Sequence, residues 1–464
     1  MTQTRQRPNI LFIMSDDHAY QAITAYRPDF PIRTPGIDRL ATEGCRLDRM
    51  YCTNSICAPS RASILTGNYN HLNGVRKLHN NLDKRLPNVA KSLQAVGYQT
   101  CIIGKWHLGN TDPYLPSGFD NYAIFDGQGE YYNPEWITPE GRERSEGYVT
   151  ELLTTRCLDW LEERDRKKPF FLMCHHKAPH RNWQASPKYQ HAFDKVNFPH
   201  PRTYRDDYAS RGPAVAAATM RIDDLTAHDF KDRPLPDLDE DALRDWKFQH
   251  YMADYTATIA SVDDSVAELL AYLDAEGLSD DTIVIYTSDQ GFYLGEHGWF
   301  DKRLIYEESH RMPFLIRYPR EIDPASINEE LVLNIDLADT FLDYAGAKGS
   351  LPCQGRSIRS IIRGEEEGYE TIYYRYWDYP SEHNVYPHSG VRTKRYLLAR
   401  FIDPTDGDRV YYELYDHIRD KDEVNNLIDD PAYAELVVEL KAKLEHLKKH
   451  YEDFDPDPAY REIP

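Results

Sequence analysis

A cysteine followed within ten residues by Pro, Ser, Arg, Thr and Gly gives the strongest chemical signal in the sequence. Residues 57–67 read CAPSRASILTG. Pro59 suits the first turn of a helix and Gly67 suits the position after its last turn, so Cys57 is predicted to lie at the N-terminus of a short helix. The unpaired N–H groups and the dipole at that end favour a bound anion and a low thiol pKa. Arg61 follows Cys57 too closely for the C-x-x-x-x-x-R spacing of a cysteine phosphatase.

Four short apolar runs are each followed by polar residues that can do chemistry. Residues 10–14 are followed by Asp16 and Asp17, and residues 100–103 by Lys105 and His107. Residues 170–174 are followed by His180, and residues 282–286 by Asp289 and Gln290. In an open α/β sheet, ligands bind beyond the carboxyl ends of the strands, where these groups would converge. A solvated loop explains any one cluster, but the four clusters together indicate a single site.

Asp16 and Asp17 are adjacent carboxylates, which repel each other unless a cation lies between them. With Asp289 and the amide oxygen of Gln290 they form a set of oxygen ligands, which selects Ca²⁺ or Mg²⁺ over Zn²⁺. Helix N-capping explains the pair Asp16 and Asp17 equally well. The chain has no C-x-x-C pair, so the ligand spacing of a zinc site is absent.

The elements that would position these residues follow from hydrophobic periodicity. The four runs, with a fifth at residues 314–316, are apolar at nearly every position, which is typical of strands buried on both faces of a parallel sheet. Helical patterns lie between them at residues 86–96, 148–163 and 246–276, and Gly97 and Gly277 suit helix C-caps. This order of elements predicts an α/β fold with a doubly wound sheet.

Two segments depart from this pattern. Residues 209–243 are rich in charge and Pro, which predicts a surface insertion. After residue 364 the sequence predicts antiparallel strands at residues 371–379, 390–400 and 410–415, followed by a helix at residues 432–451. We therefore predict a catalytic domain over residues 1–364 and a smaller C-terminal α+β subdomain over residues 365–464.

Charge and composition limit the partners and the compartment. The net charge of −21 argues against nucleic acid and anionic membranes, and an anionic substrate would need a locally positive site. The seven cysteines are typical of a reduced protein, and the first apolar run is too short for a signal sequence or a membrane span. These features predict a cytoplasmic protein, with an exported form that has lost its signal as the alternative.

The pattern C-x-P-S-R followed by T-G resembles the signature of type I sulfatases, in which the cysteine is oxidised to formylglycine. The other blocks that look like sulfatase blocks, in the family order, are residues 8–11 with 16–17, 104–109, 178–180, 288–291, and 295–298 with Lys302. The resemblance runs from about residue 7 to residue 431. It implies an alkaline phosphatase-like fold, with a large, mostly parallel sheet between helices and a C-terminal unit on an antiparallel sheet.

The resemblance also implies a metal site. Asp16, Asp17, Asp289 and Gln290 would bind calcium, or alternatively magnesium, together with an oxygen of residue 57. Many relatives have Asn or His where this chain has Gln290, whose amide oxygen reaches further. Formylglycine at residue 57 implies a maturation enzyme as a partner of this chain.

The same resemblance assigns the catalytic roles. The hydrate of formylglycine would attack sulfur, activated by the metal and by Asp289 as proton acceptor. The positive charges that balance the sulfate group would be those of Arg61, Lys105 and Lys302. His180, with Lys302, would protonate the leaving alcohol, and His107 would take the proton whose loss expels sulfate.

Two other functions compete with a sulfatase. A phosphonate or phosphate ester hydrolase of the same superfamily also uses formylglycine, although Ser60 counts against it because those enzymes tend to have Ala before the Arg. A catalytically inactive, calcium-bound glycan-binding protein is the second alternative, although every catalytic position is occupied.

The substrate is indicated by two further segments. Residues 127–134 and 379–392 resemble the branch that includes N-acetylglucosamine-6-sulfatases and related glycan sulfatases, which implies a small sulfated sugar as substrate. These segments would line the pocket mouth, with His388 or Arg392 contacting the sugar. Packing of the C-terminal sheet explains the same residues equally well.

Overall fold

The computed structural model describes residues 7–407 and 409–455 of the 464-residue chain. The strands are β1 (Asn9–Ser15), β2 (Cys45–Leu47), β3 (Met50–Tyr51), β4 (Gln99–Gly104), β5 (Asn121–Phe125), β6 (Glu135–Thr138), β7 (Gly141–Arg144), β8 (Phe170–His175), β9 (Thr282–Ser288), β10 (Tyr293–Leu294), β11 (Phe300–Asp301), β12 (Arg311–Met312), β13 (Phe314–Arg317), β14 (Ser326–Asn328), β15 (Val332–Leu333), β16 (Thr371–Tyr376), β17 (His388–Thr393), β18 (Tyr396–Asp403) and β19 (Arg409–Asp416). The helices are α1 (Pro35–Thr42), α2 (Cys57–Thr66), α3 (Asn70–Asn73), α4 (Val89–Ala95), α5 (Val149–Glu163), α6 (Pro213–Ala217), α7 (Glu240–Ala275), α8 (Glu307–His310), α9 (Asp336–Tyr344), α10 (Arg359–Ile362) and α11 (Ala434–His450).

A ten-stranded sheet in the order β14-β2-β13-β9-β1-β8-β4-β5-β6-β7 forms the centre of the molecule. Its five middle strands, from β9 to β5, are parallel to one another. Side chains of β1 alternate between two helical layers: Leu11 and Ile13 pack with residues of α1, α5 and α7, whereas Ile10 and Phe12 pack with α2, α4 and α9. The predicted sheet sandwiched by helices is confirmed.

The edges of the sheet differ from the prediction. The apolar run at residues 314–316 forms β13, but β13 is antiparallel to β9, and β6 and β7 also run antiparallel to their neighbours. An apolar run indicates burial on both faces but carries no information about strand direction. The antiparallel direction of these edge strands could therefore not be predicted from it.

Helix starts were predicted less well than helix ends. Helix α7 begins at Glu240 instead of residue 246, because Asp239 caps it by accepting a hydrogen bond from the N–H of Ala242 at 2.9 Å. Helix α4 begins at Val89, after Asn88 as N-cap, instead of at residue 86. Gly97 and Gly277 both take the left-handed conformation expected after a helix, with φ of 93° and 65°.

The segment at residues 209–243 is more than a surface insertion. Its apolar side chains, among them Val215, Met220, Ile222 and Phe230, are buried in a cluster with Phe248 of α7. In the sequence, charged residues lie between these apolar residues, so the hydrophobic pattern of a buried face could not be recognised. The predicted surface insertion therefore also contributes buried side chains to the core.

The C-terminal part contains a second, antiparallel sheet in the order β16-β17-β18-β19, as predicted. The predicted strand at residues 390–400 is two strands, β17 and β18, joined by a turn. Helix α11 covers one face with Leu440 and Leu444, while Tyr374 and Phe401 on the other face pack towards Trp299. The domain boundary at residue 364 stays a prediction. In the part of the chain that the structure describes, no helix combines the length and the apolar character that a membrane crossing requires.

Candidate active site

The polar residues that follow β1, β4, β8 and β9 meet at one edge of the central sheet. They are Asp16, Asp17, Lys105, His107, His180, Asp289 and Gln290, and α2 adds Cys57 and Arg61. Asp17 and His107 have φ of 67° and 54°, a left-handed conformation that non-glycine residues rarely adopt and that is often found at functional sites. The convergence expected from the strand ends is present.

Three carboxylates form the acidic part of this site. One oxygen from each of Asp16, Asp17 and Asp289 lies within 4.8 Å of the others, and all three side chains are buried. The N–H of Asp17 donates to Oδ1 of Asp289 at 3.2 Å, which ties the end of β1 to the end of β9. Burial, with the charge of Asp16, raises the pKa of Asp17 to about 7 and that of Asp289 to about 6.

The residues present fit a divalent cation. Among the described residues, Oδ1 of Asp16 and Oε1 of Gln290 are buried without a hydrogen-bond partner. The amide of Gln290 already lies against Asp17, to which its Nε2 donates. Buried carboxylates and an amide oxygen at this spacing are the hard ligands that Ca²⁺ and Mg²⁺ prefer, and a cation would satisfy the oxygens that lack donors.

Each of the three carboxylates also contacts a cationic side chain. Arg61 donates from Nε and Nη2 to Oδ2 of Asp289 at 3.1 and 2.9 Å. Lys302 donates from Nζ to Oδ2 of Asp17 at 2.7 Å, and Lys105 donates to Asp16. Burial opposes ionisation of Asp16, but the charges of Lys105 and Arg61 hold its pKa well below the usual value. The site is therefore locally balanced inside a strongly acidic protein.

Cys57 is the first residue of α2, as the position of Pro59 predicts, and it is fully buried. Its Sγ lies within 4.8 Å of an oxygen of Asp16 and a ring nitrogen of His180. Burial, followed by the charge of Asp16, raises the pKa of the thiol well above its ordinary value. The low thiol pKa expected at a helix N-terminus is therefore wrong, because desolvation and a neighbouring carboxylate outweigh the helix dipole.

Two histidines lie at this site in different settings. His180 donates from Nδ1 to the carbonyl of Arg181 at 2.8 Å, and its Nε2 lies 3.8 Å from Oδ2 of Asp17. Nδ1 of His107 is buried and, within the described residues, has no hydrogen-bond partner. Burial and then the charge of Lys105 lower the pKa of both rings well below the usual value. A bound anion acts in the opposite direction, since it favours the imidazolium form.

A cleft of about 650 Å³ opens above Cys57. Its lining includes His180 and Lys302 and also Gln128, Gly129, Lys177, Arg181, Asp301, Arg303, Glu382 and His383. Two of these residues belong to the segment at residues 127–134 and two to the segment at residues 379–392. Both segments that were interpreted as the pocket mouth therefore reach the cleft.

His388 and Arg392 do not line this cleft, which corrects their assignment as sugar-binding residues. His388 donates from Nδ1 to the carbonyl of Tyr386 at 2.8 Å and stacks on Phe401, with ring centroids 5.0 Å apart. Arg392 donates to Oε2 of Glu307 at 2.8 Å and to Oε1 of Glu423 at 3.1 Å. Strand β17 lies between β16 and β18, so these polar side chains are buried in packing contacts.

Several polar residues of the cleft were missed by the sequence interpretation. Lys177 and Arg181 flank His180, and Asp301 and Arg303 flank Lys302. Their position beside residues already singled out was the available signal. It was weak, because side chains next to each other in a loop often point in different directions.

Comparisons with known proteins agree with this geometry. The model of the family described as Sulfatase matches residues 8–347, and the model described as N-sulphoglucosamine sulphohydrolase, C-terminal, matches residues 295–450. N-acetylglucosamine-6-O-sulfatase of Bacteroides thetaiotaomicron is 39% identical over 97% of this chain and 88% of its own length. Human N-acetylglucosamine-6-sulfatase is 29% identical over 77% of this chain and 65% of its own.

Solved structures of related proteins are also similar to this chain. A structure described as a complex with its substrate D-glucosamine-2-N,6-O-disulfate superposes with a TM-score of 0.92 and 39% identity, over 98% of this chain and 100% of that one. The phosphonate monoester hydrolase of Silicibacter pomeroyi superposes with a TM-score of 0.77 and 22% identity, over 96% of each chain, which shows a shared fold.

Proposed function

Because the chain belongs to the sulfatase family, we propose that it hydrolyses the sulfate ester at the 6-position of a glucosamine derivative. The relative with 39% identity carries that activity in its name, and the structure with a TM-score of 0.92 is described with a glucosamine disulfate as substrate. The observation that carries the proposal is that Cys57, His180 and Lys302 line one cleft, while Arg61 and Lys105 lie on the carboxylates beside it.

The electrostatics of the site suit an anionic ester. Arg61, Lys105 and Lys302 each contact a carboxylate of the acidic cluster in the structure described here. A divalent cation on those carboxylates would take over their charge and leave three cations available to sulfate oxygens. A protein with a net charge of −21 can in this way bind an anion at one defined place.

The residues that would hold the metal are Asp16, Asp17, Asp289 and Gln290, with an oxygen of residue 57. Calcium is the proposed ion, because the set consists of hard oxygen donors. When bound, the ion would supply charge stabilisation for the sulfate and for the attacking oxygen.

Residue 57 would act as formylglycine, made from Cys57 by a maturation enzyme. Its hydrate would supply a hydroxyl as nucleophile to sulfur and a second hydroxyl whose deprotonation allows the sulfate to leave again. The high thiol pKa of unmodified Cys57 supports this, since a thiol that stays protonated is a poor nucleophile.

The two histidines would move protons in the two steps of the reaction. His180 holds Nδ1–H on the carbonyl of Arg181, so Nε2 is the atom that can deliver a proton to the leaving sugar oxygen. His107 would accept the proton from the remaining hydroxyl of residue 57. This division of roles separates the bond cleavage at the sugar from the release of sulfate.

The test is a rate comparison on protein co-expressed with a formylglycine-generating enzyme. We expect hydrolysis of glucosamine 6-O-sulfate derivatives to exceed hydrolysis of an aryl phosphonate ester and of sugar sulfates esterified at other positions. Mass spectrometry of the peptide that contains residue 57 confirms that the sample is mature. A mature sample that prefers the phosphonate ester, or cleaves neither class, would overturn the proposal.

A further inference from the structure

Lys177 lies in the loop after β8 and lines the cleft together with Cys57 and His180. The residue is only 5% exposed. The roles proposed above for the site make no use of this residue. A buried ammonium at the place where a sulfate ester is bound therefore needs its own explanation.

Lys177 differs from the other Lys and Arg side chains of the cleft in its partners. Arg181 pairs with Asp229, Lys302 with Asp17, and Arg303 with Asp301. Within residues 7–407 and 409–455, Lys177 forms no salt bridge with a carboxylate. Its Nζ donates to the carbonyl of Gln128 at 3.2 Å and lies 4.9 Å from the centre of the Tyr131 ring.

Burial of an ammonium without a carboxylate partner is unfavourable, because one carbonyl satisfies only one of its three N–H groups. Burial, followed by the charge of Lys105, lowers the pKa of Lys177 to about 8, so the side chain is still mostly charged at neutral pH. An anion that enters the cleft and accepts the remaining hydrogen bonds would offset the free energy of burying this ammonium group.

Gln128 connects this lysine with one already assigned to the sulfate. The carbonyl of Gln128 accepts from Nζ of Lys177, and its side-chain oxygen accepts from Nζ of Lys105. One residue that lines the cleft therefore contacts both ammonium groups. The charge of Lys177 also acts on His180, whose pKa it helps to lower.

We propose that the ammonium group of Lys177 binds a sulfate oxygen of the substrate, as a fourth cation beside Arg61, Lys105 and Lys302. The inference rests on the proposed sulfatase function. The sulfate can be the ester that is cleaved or a second sulfate on the same sugar, and the experiment distinguishes these sources. A lysine that only satisfies the carbonyl of Gln128 is the competing explanation.

Three substitutions separate charge from hydrogen bonding. Lys177→Met removes both, Lys177→Gln keeps a donor for the carbonyl of Gln128 without the charge, and Lys177→Arg keeps the charge. Lys188→Met is the matched control, because Lys188 is exposed and pairs with Asp264 at the surface. Melting temperatures establish that each variant is folded, and if Lys177→Met fails to fold, Lys177→Gln carries the test.

The measurements are kcat/KM on glucosamine 6-O-sulfate and on its 2-N,6-O-disulfate, and competitive inhibition by inorganic sulfate. We expect Lys177→Met and Lys177→Gln to lower kcat/KM by roughly ten- to a hundred-fold. Lys177→Arg and the control Lys188→Met should stay close to wild type. If Lys177 binds the reacting ester, both sugars are affected and sulfate inhibits less well. If it binds a second sulfate, only the disulfate is affected.

The inference is wrong if Lys177→Gln matches wild type on both sugars and in its inhibition by sulfate. In that case the lysine only serves as a donor to Gln128. An inactive but mature wild-type enzyme would instead remove the proposed function itself. The two failures are therefore distinguishable.

Discussion

His180 and Arg181 are joined by a short local hydrogen bond, in which Nδ1 of the ring donates to the backbone carbonyl at 2.8 Å. The bond orients the ring, and its Nε2 lies 3.8 Å from Oδ2 of Asp17. A histidine held in this way has one nitrogen for orientation and one for proton transfer.

The role of His180 as leaving-group acid can be tested with two esters. A sugar alkoxide is strongly basic and needs a proton as it leaves, whereas a nitrophenolate is stable without one. His180→Ala should therefore slow a sugar sulfate by roughly a hundred- to ten-thousand-fold and an activated aryl sulfate far less. The measurement is the ratio of the two rates in wild type and variant.

His107→Ala provides the comparison for that experiment. Loss of the base that allows sulfate to leave should slow both esters alike and leave sulfate attached to the enzyme, visible by mass spectrometry. If His180→Ala accumulates the sulfated protein instead, the two histidines have been assigned in the wrong order.

Cys57→Ala should abolish turnover while the protein stays folded, because the nucleophile exists only after Cys57 is oxidised. We expect a loss of more than about ten-thousand-fold in kcat. Cys353→Ala is the matched control, since Cys353 is half-buried, away from the cleft, and should keep full activity. Activity near wild type in a clean Cys57→Ala preparation contradicts the assignment.

Calcium binding should be stoichiometric and should weaken as the pH falls. Burial raises the pKa of Asp17 to about 7 and that of Asp289 to about 6 in the absence of an ion, so below these values protons compete with calcium for the carboxylates. The affinity should therefore rise from about pH 5 to about pH 8, because ligands must be deprotonated to bind. Titration calorimetry at several pH values measures this.

Two controls accompany the metal experiment. Asp289→Asn should lose calcium and activity together, whereas Asp29→Asn should retain both, because the side chain of Asp29 is exposed. Full activity after removal of all metal, or stoichiometric zinc by elemental analysis, would show that the ligand assignment is wrong.

Ser60→Ala should destabilise the fold around the site. The buried hydroxyl of Ser60 donates to the carbonyl of Asp289 and accepts from Nδ2 of Asn334 at 2.9 Å, so Ala leaves both groups unsatisfied. We expect a loss of about 1–3 kcal/mol in the free energy of unfolding. Denaturant titration measures it, with exposed Ser350→Ala as the control; an unchanged midpoint for Ser60→Ala refutes the structural role.

The central fold and the location of the site were predictable because they depend on local patterns. An apolar run such as residues 10–14 determines a buried strand, and the polar residues after it must lie at the strand's end. The antiparallel direction of β13 relative to β9 was not predictable, because it depends on the path of the chain that connects the two strands.

The substrate-facing residues were harder to predict for a related reason. Arg392 looked like a sugar ligand, yet its carboxylate partners Glu307 and Glu423 come from distant parts of the chain. Lys177 looked like an ordinary loop lysine, and only its burial without a carboxylate marks it as unusual. In both cases the role of the side chain depends on whether a carboxylate from a distant part of the chain lies beside it. A single sequence does not show which distant residues are in contact.

The pairing of each acidic ligand with one cationic side chain has a thermodynamic consequence. Calcium would bind the carboxylates of these ion pairs, and a sulfate ester would bind their cationic side chains. Once one ligand has broken the ion pairs, the other ligand binds without that free-energy cost. Binding of the two ligands is then positively cooperative, with equal coupling in both directions. Inorganic sulfate should tighten calcium binding by the same factor by which calcium tightens sulfate, even in a variant that cannot turn over.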